Sequence, residues 1–321
     1  MIIITRTPFR ISFLGGGSDY PEWHNHHIGM VVGATINKYC YITYQPDQEQ
    51  FRIFYSKLEE CARVDQITHP AVKACLEYLN VTAPSSITHA SDLHSRSGVG
   101  SSSAFVVGLL TALYSRFDIR LPSTIVADVA ITIEQDILKE PVGSQDQILC
   151  AVGGINQIVF HPHPAGGVGI RNLDTEMWDA RIKEFHSHLM LFYTGPRSLT
   201  PPIPLTFDVQ ITRRLATMAK EGADILTSYN DITQFGELLH EGWELKRQMS
   251  PSISSLRIDV IYEAARRQGV IGGKILGAGG GGFMLLFAKP EYHTKIKSVL
   301  ADLTYVPFEF EFEGSKVIYS D

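Results

Sequence analysis

The sequence predicts an α+β protein with a strand-rich beginning and a mostly helical second half. Short apolar runs bounded by turn residues, which are typical of strands, are concentrated near the beginning of the chain. Apolar residues recur at helical spacing over most of 209–268. Strands and helices do not alternate regularly along the chain, so a parallel sheet built from repeated βαβ units is not indicated.

The predicted elements follow one another with turn-forming residues between them. The predicted strands are 2–4, 10–14, 38–44, 51–55, 155–160, 189–193 and 283–287. The predicted helices are 101–117, 122–138, 209–229, 232–249, 257–268 and 293–303. Because a turn rich in proline and glycine occupies 161–169, we place a domain boundary shortly after it. The predicted units are 1–175 and 176–321.

The composition narrows the classes of function. The 321 residues are 44% hydrophobic, which is enough for two packed domains, and the formal net charge is −6 without a long basic run. Nucleic acid and anionic membranes are therefore not expected as main partners. No apolar run is long enough to span a bilayer, and early arginines interrupt any signal peptide, so we expect a cytoplasmic protein. The four cysteines form no CxxC pair and are expected to be free thiols.

A segment rich in glycine and serine opens directly into the helix predicted at 101–117. Glycines let the backbone approach a polyphosphate closely, and the first-turn N–H groups and the helix dipole favour an anion there. The segment therefore predicts a phosphate-binding loop, in which a serine hydroxyl can also bind Mg²⁺. A serine N-cap after a flexible turn is the alternative. The residues are Ser97, Gly98, Val99, Gly100, Ser101, Ser102 and Ser103.

Two other glycine-rich turns adjoin predicted strands. The first, 15–19, ends a strand and carries Asp19, which can accept hydrogen bonds from hydroxyl groups or can cap the next turn. The other, 277–282, precedes the strand predicted at 283–287. So many glycines indicate close approach of the backbone to another group, with a long flexible hairpin as the alternative.

Two carboxylates between these segments are candidates for catalysis. Glu134 lies late in a predicted helix, and Asp146 lies in the loop predicted to follow it. One of them can hold Mg²⁺ while the other meets an acceptor hydroxyl. Taken singly, both would more often be solvated surface groups.

In this order, the segments resemble the motifs of the GHMP kinase superfamily, which includes galactokinase, homoserine kinase and mevalonate kinase. The resemblance covers nearly the whole chain, and three motifs at the expected places are far more specific than one. It implies a ribosomal S5-like α/β domain, a ferredoxin-like α+β domain, and an active site in the cleft between them. It also implies an ATP-dependent phosphotransferase that uses Mg²⁺ and a small-molecule alcohol acceptor.

The resemblance implies roles for individual residues. The first segment matches the galactokinase pattern P-G-R-V-N-L-I-G-E-H-T-D-Y, which implies that Arg10 assists the catalytic aspartate and that Asp19 holds sugar hydroxyls. The stretch 141–147 resembles P-C-G-I-M-D-Q, which implies that Asp146 is that aspartate. Glu134 and Ser102 match the Mg²⁺ ligands, although the neighbouring serines leave the second assignment open by one position. The implied substrate contacts are Gly16, Gly17, Ser18, Asp19, Gly279 and Gly280.

The departures from galactokinase suggest the substrate. Gly16 and Gly17 replace a Glu and a His, which argues against galactose and leaves room for a bulkier ligand. The run 13–23 looks most like that of D-glycero-D-manno-heptose 7-phosphate kinases, which phosphorylate the anomeric hydroxyl to give the 1,7-bisphosphate. A cation should then bind the remote phosphate, and Lys274 is a candidate, with a surface lysine as the alternative. The proline-rich stretch 195–208 departs from the relatives and indicates a rebuilt cleft wall.

Other functions remain open at this level. A fucokinase-like sugar 1-kinase would use the same chemistry, a decarboxylase of the diphosphomevalonate type shares the fold, and a non-catalytic sensor is a further alternative. The intact Arg10, Glu134 and Asp146 argue against the sensor. The three histidines 24, 26 and 27 are expected to be exposed or near the substrate rather than metal ligands. The sequence does not identify adenine contacts or the oligomeric state, with a homodimer among the alternatives.

Overall fold

The computed structural model describes residues 1–94, 97–162, 164, 166–196 and 208–321. The strands are β1 (Ile3–Leu14), β2 (Gly29–Pro46), β3 (Phe51–Phe54), β4 (Leu58–Cys61), β5 (Ser85–Ser91), β6 (Ile155–Phe160), β7 (Val168–Asn172), β8 (Leu189–Tyr193), β9 (Val270–Ile275), β10 (Phe283–Ala288), β11 (Thr304–Tyr305) and β12 (Lys316–Ser320). The helices are α1 (Pro21–His24), α2 (Pro70–Tyr78), α3 (Ser101–Arg116), α4 (Ser123–Ile131), α5 (Gln145–Val152), α6 (Asp179–Ser187), α7 (Val209–Leu226), α8 (Thr233–Met249), α9 (Leu256–Arg266) and α10 (His293–Val299). A π-helical turn, Thr132–Ile137, follows α4, and 3₁₀ turns occupy Val64–Gln66 and Pro290–Tyr292.

The first sheet is built around β1 and β2, which pair antiparallel over nearly the whole length of β1. Among the described residues the sheet has eight strands, with the order β12-β1-β2-β5-β3-β4, and β6 extends it from β2 to β7. Helix α3 packs on β1 and β2. Residues 103–110 of α3 form a continuous buried run, so the first half of this helix is central rather than amphipathic. The sheet therefore fixes the position of the predicted phosphate-binding loop at the N-terminus of α3.

The second sheet has the order β11-β8-β10-β9 in the described part of the chain. All six residues of β10 are buried, because β8 and β9 flank it and helices cover its face. Phe13, at the end of β1, lies with its ring 5.2 Å from Phe185 and 5.8 Å from Phe235. Burying each such ring contributes about 1.5–3 kcal/mol. This aromatic cluster joins the two sheets close to the point where β1 turns into the first glycine segment.

The C-terminal end of the chain departs from the predicted division into 1–175 and 176–321. Lys316–Ser320 returns to the first sheet and pairs antiparallel with β1, and Phe310 forms a bridge with Ile36. Without β12, the outer edge of β1 would leave its N–H and C=O groups unpaired. The last strand therefore pairs within the first sheet, and the division into 1–175 and 176–321 stays a prediction.

The predicted α+β fold class is confirmed, with shifted ends for several elements. β1 is one continuous strand rather than two, although its register against β2 shifts between Pro8 and Phe9. The helix predicted at 122–138 is divided into α4 and the π-helical turn Thr132–Ile137. The turn predicted at 161–169 ends earlier, because Val168 begins β7. No helix in the described ranges has both the length and the apolar character needed to cross a bilayer.

Candidate active site

The predicted phosphate-binding loop is held by backbone contacts on both sides. Gly100 caps α3 with a φ of +74°, and Gly98 has a φ of +87°, in the left-handed region that glycine tolerates best. The N–H of Arg10 donates to the carbonyl of Val99 over 3.1 Å. A side chain at Gly98 would collide with the carbonyl of Leu276, at 2.3 Å from an ideal Cβ. The loop is thus fixed between β1 and the third glycine segment, at the N-terminus of α3, where first-turn N–H groups can bind an anion.

The third glycine segment approaches protein backbone closely. The N–H of Phe283 donates to the carbonyl of Ser97 over 3.0 Å, and Gly277 leaves no room for a side chain beside Gly98. Gly279 and Gly280 pack against Ile253, whose carbonyl accepts from the N–H of Gly280 over 3.1 Å. The glycines therefore join two loops. A contact between Gly279 or Gly280 and a substrate stays a prediction.

Arg10 and Asp146 form the centre of the site. The Arg10 guanidinium donates from Nε and Nη2 to the two Asp146 oxygens, over 2.7 and 2.6 Å, and from Nη1 to the carbonyl of Gly98. Burial opposes the charge of Arg10, but Asp146 outweighs it and the pKa of Arg10 is raised. Asp146 lies in the first turn of α5 rather than in the predicted loop, and a carboxylate is favoured at that helix end. Arg10 thus links Asp146 directly to the predicted phosphate-binding loop.

Asp19 lies beside this pair and is fully buried. It accepts from the N–H of Gly17 and from the side-chain amide of Gln145, each over 2.9 Å. Burial raises its pKa despite these hydrogen bonds. Ser18 does not face the same space, because its hydroxyl bonds to the backbone of Gly15 and Met30. The Ser18 hydroxyl therefore holds the turn, and a substrate contact of Ser18 stays a prediction.

Glu134 is buried behind the first turn of α3, on the π-helical turn. One carboxylate oxygen accepts from the Ser103 hydroxyl over 2.8 Å and from the Gln147 amide. The other oxygen is buried without a partner among the described residues. Burial raises the pKa of Glu134 to about 7, against the hydrogen bonds from Ser103 and Gln147. Single π-helical turns occur frequently at functional sites, where they redirect one side chain.

These groups fit a divalent cation. A buried carboxylate oxygen without a partner beside hydroxyl groups provides the hard oxygen ligands that Mg²⁺ prefers, and Mg²⁺ usually takes its remaining ligands from water and phosphate oxygens. Ser103, rather than the predicted Ser102, contacts Glu134. Ser102 is exposed in the first turn of α3, so its assignment as a Mg²⁺ ligand stays a prediction.

The structure corrects the prediction for Lys274 and adds Lys246. Lys274 is buried, donates to the carbonyl of Phe13 over 3.0 Å, and has a pKa well below its usual value because of burial, so a surface lysine is wrong. Lys246, in the last turn of α8, lies near Gly16 and was missed. It shares a helix face with the buried Leu239 and Trp243. A lysine on an otherwise apolar face was the signal that could have identified it.

Two further predictions concern the histidines near residue 25 and the proline-rich stretch 195–208. His24 stacks on Phe160 and His27 lies against Trp23, so these histidines pack on different aromatic rings. The rebuilt cleft wall predicted at 195–208 falls largely on residues 197–207, which lie outside the described residues.

The buried carboxyl of Glu134 is expected to make the stability of the ligand-free protein depend on pH. Its pKa is about 7 when folded against about 4.5 when unfolded, so the folded state binds more protons in between. The free energy of unfolding should therefore fall as the pH rises from about 4.5 to about 7, by about 3 kcal/mol at most. Glu134→Gln should remove this pH dependence of the free energy of unfolding.

Urea denaturation of both proteins at pH 5, 6, 7 and 8 measures the effect. The stability of the variant relative to wild type should grow up to pH 7 and then level off. A difference that does not change with pH would contradict the buried, uncompensated carboxyl.

Comparisons with known proteins agree with this geometry. Residues 66–154 match the GHMP kinases N terminal domain, and residues 220–303 match the GHMP kinases C terminal domain. The chain is 27% identical over 336 residues to the D-glycero-alpha-D-manno-heptose 7-phosphate kinase of Campylobacter jejuni, with 98% of each chain covered. It is 22% identical to a bifunctional fucokinase/GDP-fucose pyrophosphorylase of Arabidopsis thaliana, over 88% of this chain and 29% of that protein. The crystal structure of a D-glycero-D-manno-heptose 1-phosphate kinase from Bacteroides thetaiotaomicron has a TM-score of 0.83 at 23% identity, over 100% of both chains.

Proposed function

Since the chain belongs to the GHMP kinases, and within them is a sugar kinase related to heptose phosphate kinases, we propose that it phosphorylates the C1 hydroxyl of D-glycero-D-manno-heptose 7-phosphate. The product is the 1,7-bisphosphate, and ATP is the donor. The observation that carries the proposal is the Arg10–Asp146 pair, which is bonded to the phosphate-binding loop at Gly98 and lies beside Asp19.

The donor side of the cleft binds ATP through the N-terminus of α3. The N–H groups of its first turn and the glycine loop surround the phosphates, and the helix dipole favours their charge. Glu134 and the hydroxyls of the first turn hold Mg²⁺. When bound, the ion would neutralise part of the charge on the β- and γ-phosphates. The cleft thus presents the γ-phosphate near Asp146.

The acceptor side positions one hydroxyl for attack. Asp19 holds ring hydroxyls. Asp146 accepts the proton of the C1 hydroxyl while the C1 oxygen forms a bond to the γ-phosphorus. The bond from that phosphorus to the bridging oxygen breaks, and ADP leaves. Arg10 fixes the orientation of the Asp146 carboxylate through two charged hydrogen bonds.

The heptose assignment rests on the pocket and on the relatives. Gly16 and Gly17 leave space beside Asp19 for a larger sugar. The Campylobacter jejuni relative is named for the 7-phosphate and the Bacteroides protein for the 1-phosphate. The position of the phosphate on the acceptor is therefore the point that most needs a test. The Arabidopsis thaliana relative keeps a fucokinase-like sugar 1-kinase as the second candidate.

We expect kcat/KM to be higher for D-glycero-D-manno-heptose 7-phosphate than for the unphosphorylated heptose, L-fucose or galactose. A dianionic group can anchor the sugar and orient its reacting end, so the preference should be about tenfold or more. Coupled ADP detection with all four sugars under one set of conditions measures it. In a separate assay with ATP and diphosphomevalonate, release of inorganic phosphate and CO₂ would identify a decarboxylase instead. If a free sugar is preferred by about tenfold, the phosphoheptose assignment fails and the sugar kinase remains.

A further inference from the structure

Some cationic groups of the cleft do not pair with a carboxylate. Arg10 is fully engaged with Asp146, and Asp19 accepts from neutral amides. Lys246 and Lys274 are bonded to backbone carbonyls, at Gly277 over 3.5 Å and at Phe13 over 3.0 Å. Among the described residues, neither ammonium has a carboxylate within 4.0 Å. A buried cation without an anionic partner is costly, so this part of the cleft favours an anion.

The two lysines differ in what they can reach. Lys274 lies near the C-terminal end of β9, and its ammonium donates a hydrogen bond to the carbonyl of Phe13 near the end of β1. Lys246 lies between the first glycine turn and the third glycine segment. Together with Gly16, both lysines line a small recess. Lys246 is the more accessible of the two, and it is therefore the one that a ligand can contact.

Three donor groups surround the space beside Gly16. An ideal Cβ placed on this residue would lie 3.4 Å from the Lys246 ammonium nitrogen, and 3.5 Å from both the Gln145 amide nitrogen and the Ser12 hydroxyl. The pattern that resembles galactokinase has a Glu at this position, so a carboxylate would occupy the space there. In this chain the glycine leaves the three donors facing a place that a ligand's own anion can fill.

Resting on the proposed function, we propose that Lys246, with Ser12 and Gln145, binds the phosphate group of the acceptor sugar in the space beside Gly16. A phosphate there supplies the anionic partner that Lys246 lacks. The same chemistry could come from the phosphoryl group of ATP. The acceptor is favoured because the ammonium adjoins Gly16, in the turn that also carries Asp19, the residue predicted to hold the sugar hydroxyls.

The test compares Lys246→Met with wild type on the heptose 7-phosphate and on the unphosphorylated heptose. Loss of a charged hydrogen bond to a phosphate should lower kcat/KM for the phosphorylated sugar by about 10- to 100-fold. The value for the free sugar should change by less than about threefold, and Lys246→Arg should recover part of the loss. Lys220→Met, the same substitution at an exposed position of α7, serves as the matched control.

Gly16→Glu provides a second, independent variant. The space at this position is open enough for a side chain, whose carboxylate would pair with Lys246 and exclude the acceptor phosphate. The kcat/KM preference of Gly16→Glu for the phosphorylated over the free sugar should disappear. An equal loss for both sugars in Lys246→Met would assign the lysine to the phosphoryl group of ATP and overturn the proposal, as would no loss.

A binding measurement separates this inference from the proposed function. With Mg·AMP-PNP saturating, inorganic phosphate should bind to wild type in calorimetry and bind at least about tenfold more weakly to Lys246→Met. If no heptose is phosphorylated but this difference holds, the proposed substrate fails and the phosphate site stands. If both proteins bind inorganic phosphate alike, or neither binds it, the phosphate site is wrong.

Discussion

Replacing Asp146 with Asn is expected to lower kcat by about 100-fold or more while ATP binding is largely kept. The amide has nearly the same bulk and can still accept a hydrogen bond from Arg10 at one oxygen. It cannot take the proton of the acceptor hydroxyl, and it removes the charge that Arg10 holds in place. Coupled ADP detection gives kcat, and calorimetry with Mg·AMP-PNP gives the affinity for the nucleotide.

A matched substitution shows whether the loss belongs to the site. Asp179→Asn changes an exposed aspartate in the first turn of α6, so it has the same chemistry at the same kind of helix position. Its kcat should stay at the wild-type value. If Asp146→Asn keeps more than about a tenth of wild-type turnover, Asp146 does not act as the base.

The parts of the site that the sequence predicted are those in which local chemistry sets the residue type. A glycine-rich turn that opens into a helix favours an anion at the helix N-terminus, so composition alone predicted a phosphate-binding loop before α3. Arg10 and Asp146 lie 136 residues apart, and their pairing came from the order of the motifs rather than from any local pattern. The fold class followed from hydrophobic periodicity because most elements bury one face or a whole strand.

The parts that were missed depend on contacts between distant elements. Lys246 becomes a cleft residue only because α8 packs beside the turn at Gly16. β12 is found in the first sheet because the edge of β1 needs a partner, which spacing along the chain does not reveal. The choice between Ser102 and Ser103 depends on the rotation of α3 and on where the π-helical turn places Glu134.

Glu134→Gln is expected to raise the Mg²⁺ concentration needed for half-maximal activity by at least about tenfold, a loss that even an outer-shell change can cause at a metal site. Gln keeps the shape of the side chain and can still accept from the Ser103 hydroxyl. It lacks the negative charge, and its neutral oxygen is a weaker ligand for a hard cation. Titration of activity with Mg²⁺ at fixed ATP measures the change, with the exposed Glu237→Gln on α8 as the control.

The pH dependence of the same titration distinguishes a metal ligand from a merely buried acid. Because burial raises the pKa of Glu134 to about 7, protons compete with Mg²⁺ for the carboxylate below that pH. The wild-type Mg²⁺ requirement should therefore fall between pH 6 and pH 8, and that of the variant should change much less. If both proteins titrate alike at pH 8, other groups of the first turn of α3, such as Ser102, hold the metal. Glu134 would then be a buried charge that no bound cation offsets, and its substitution would change stability alone.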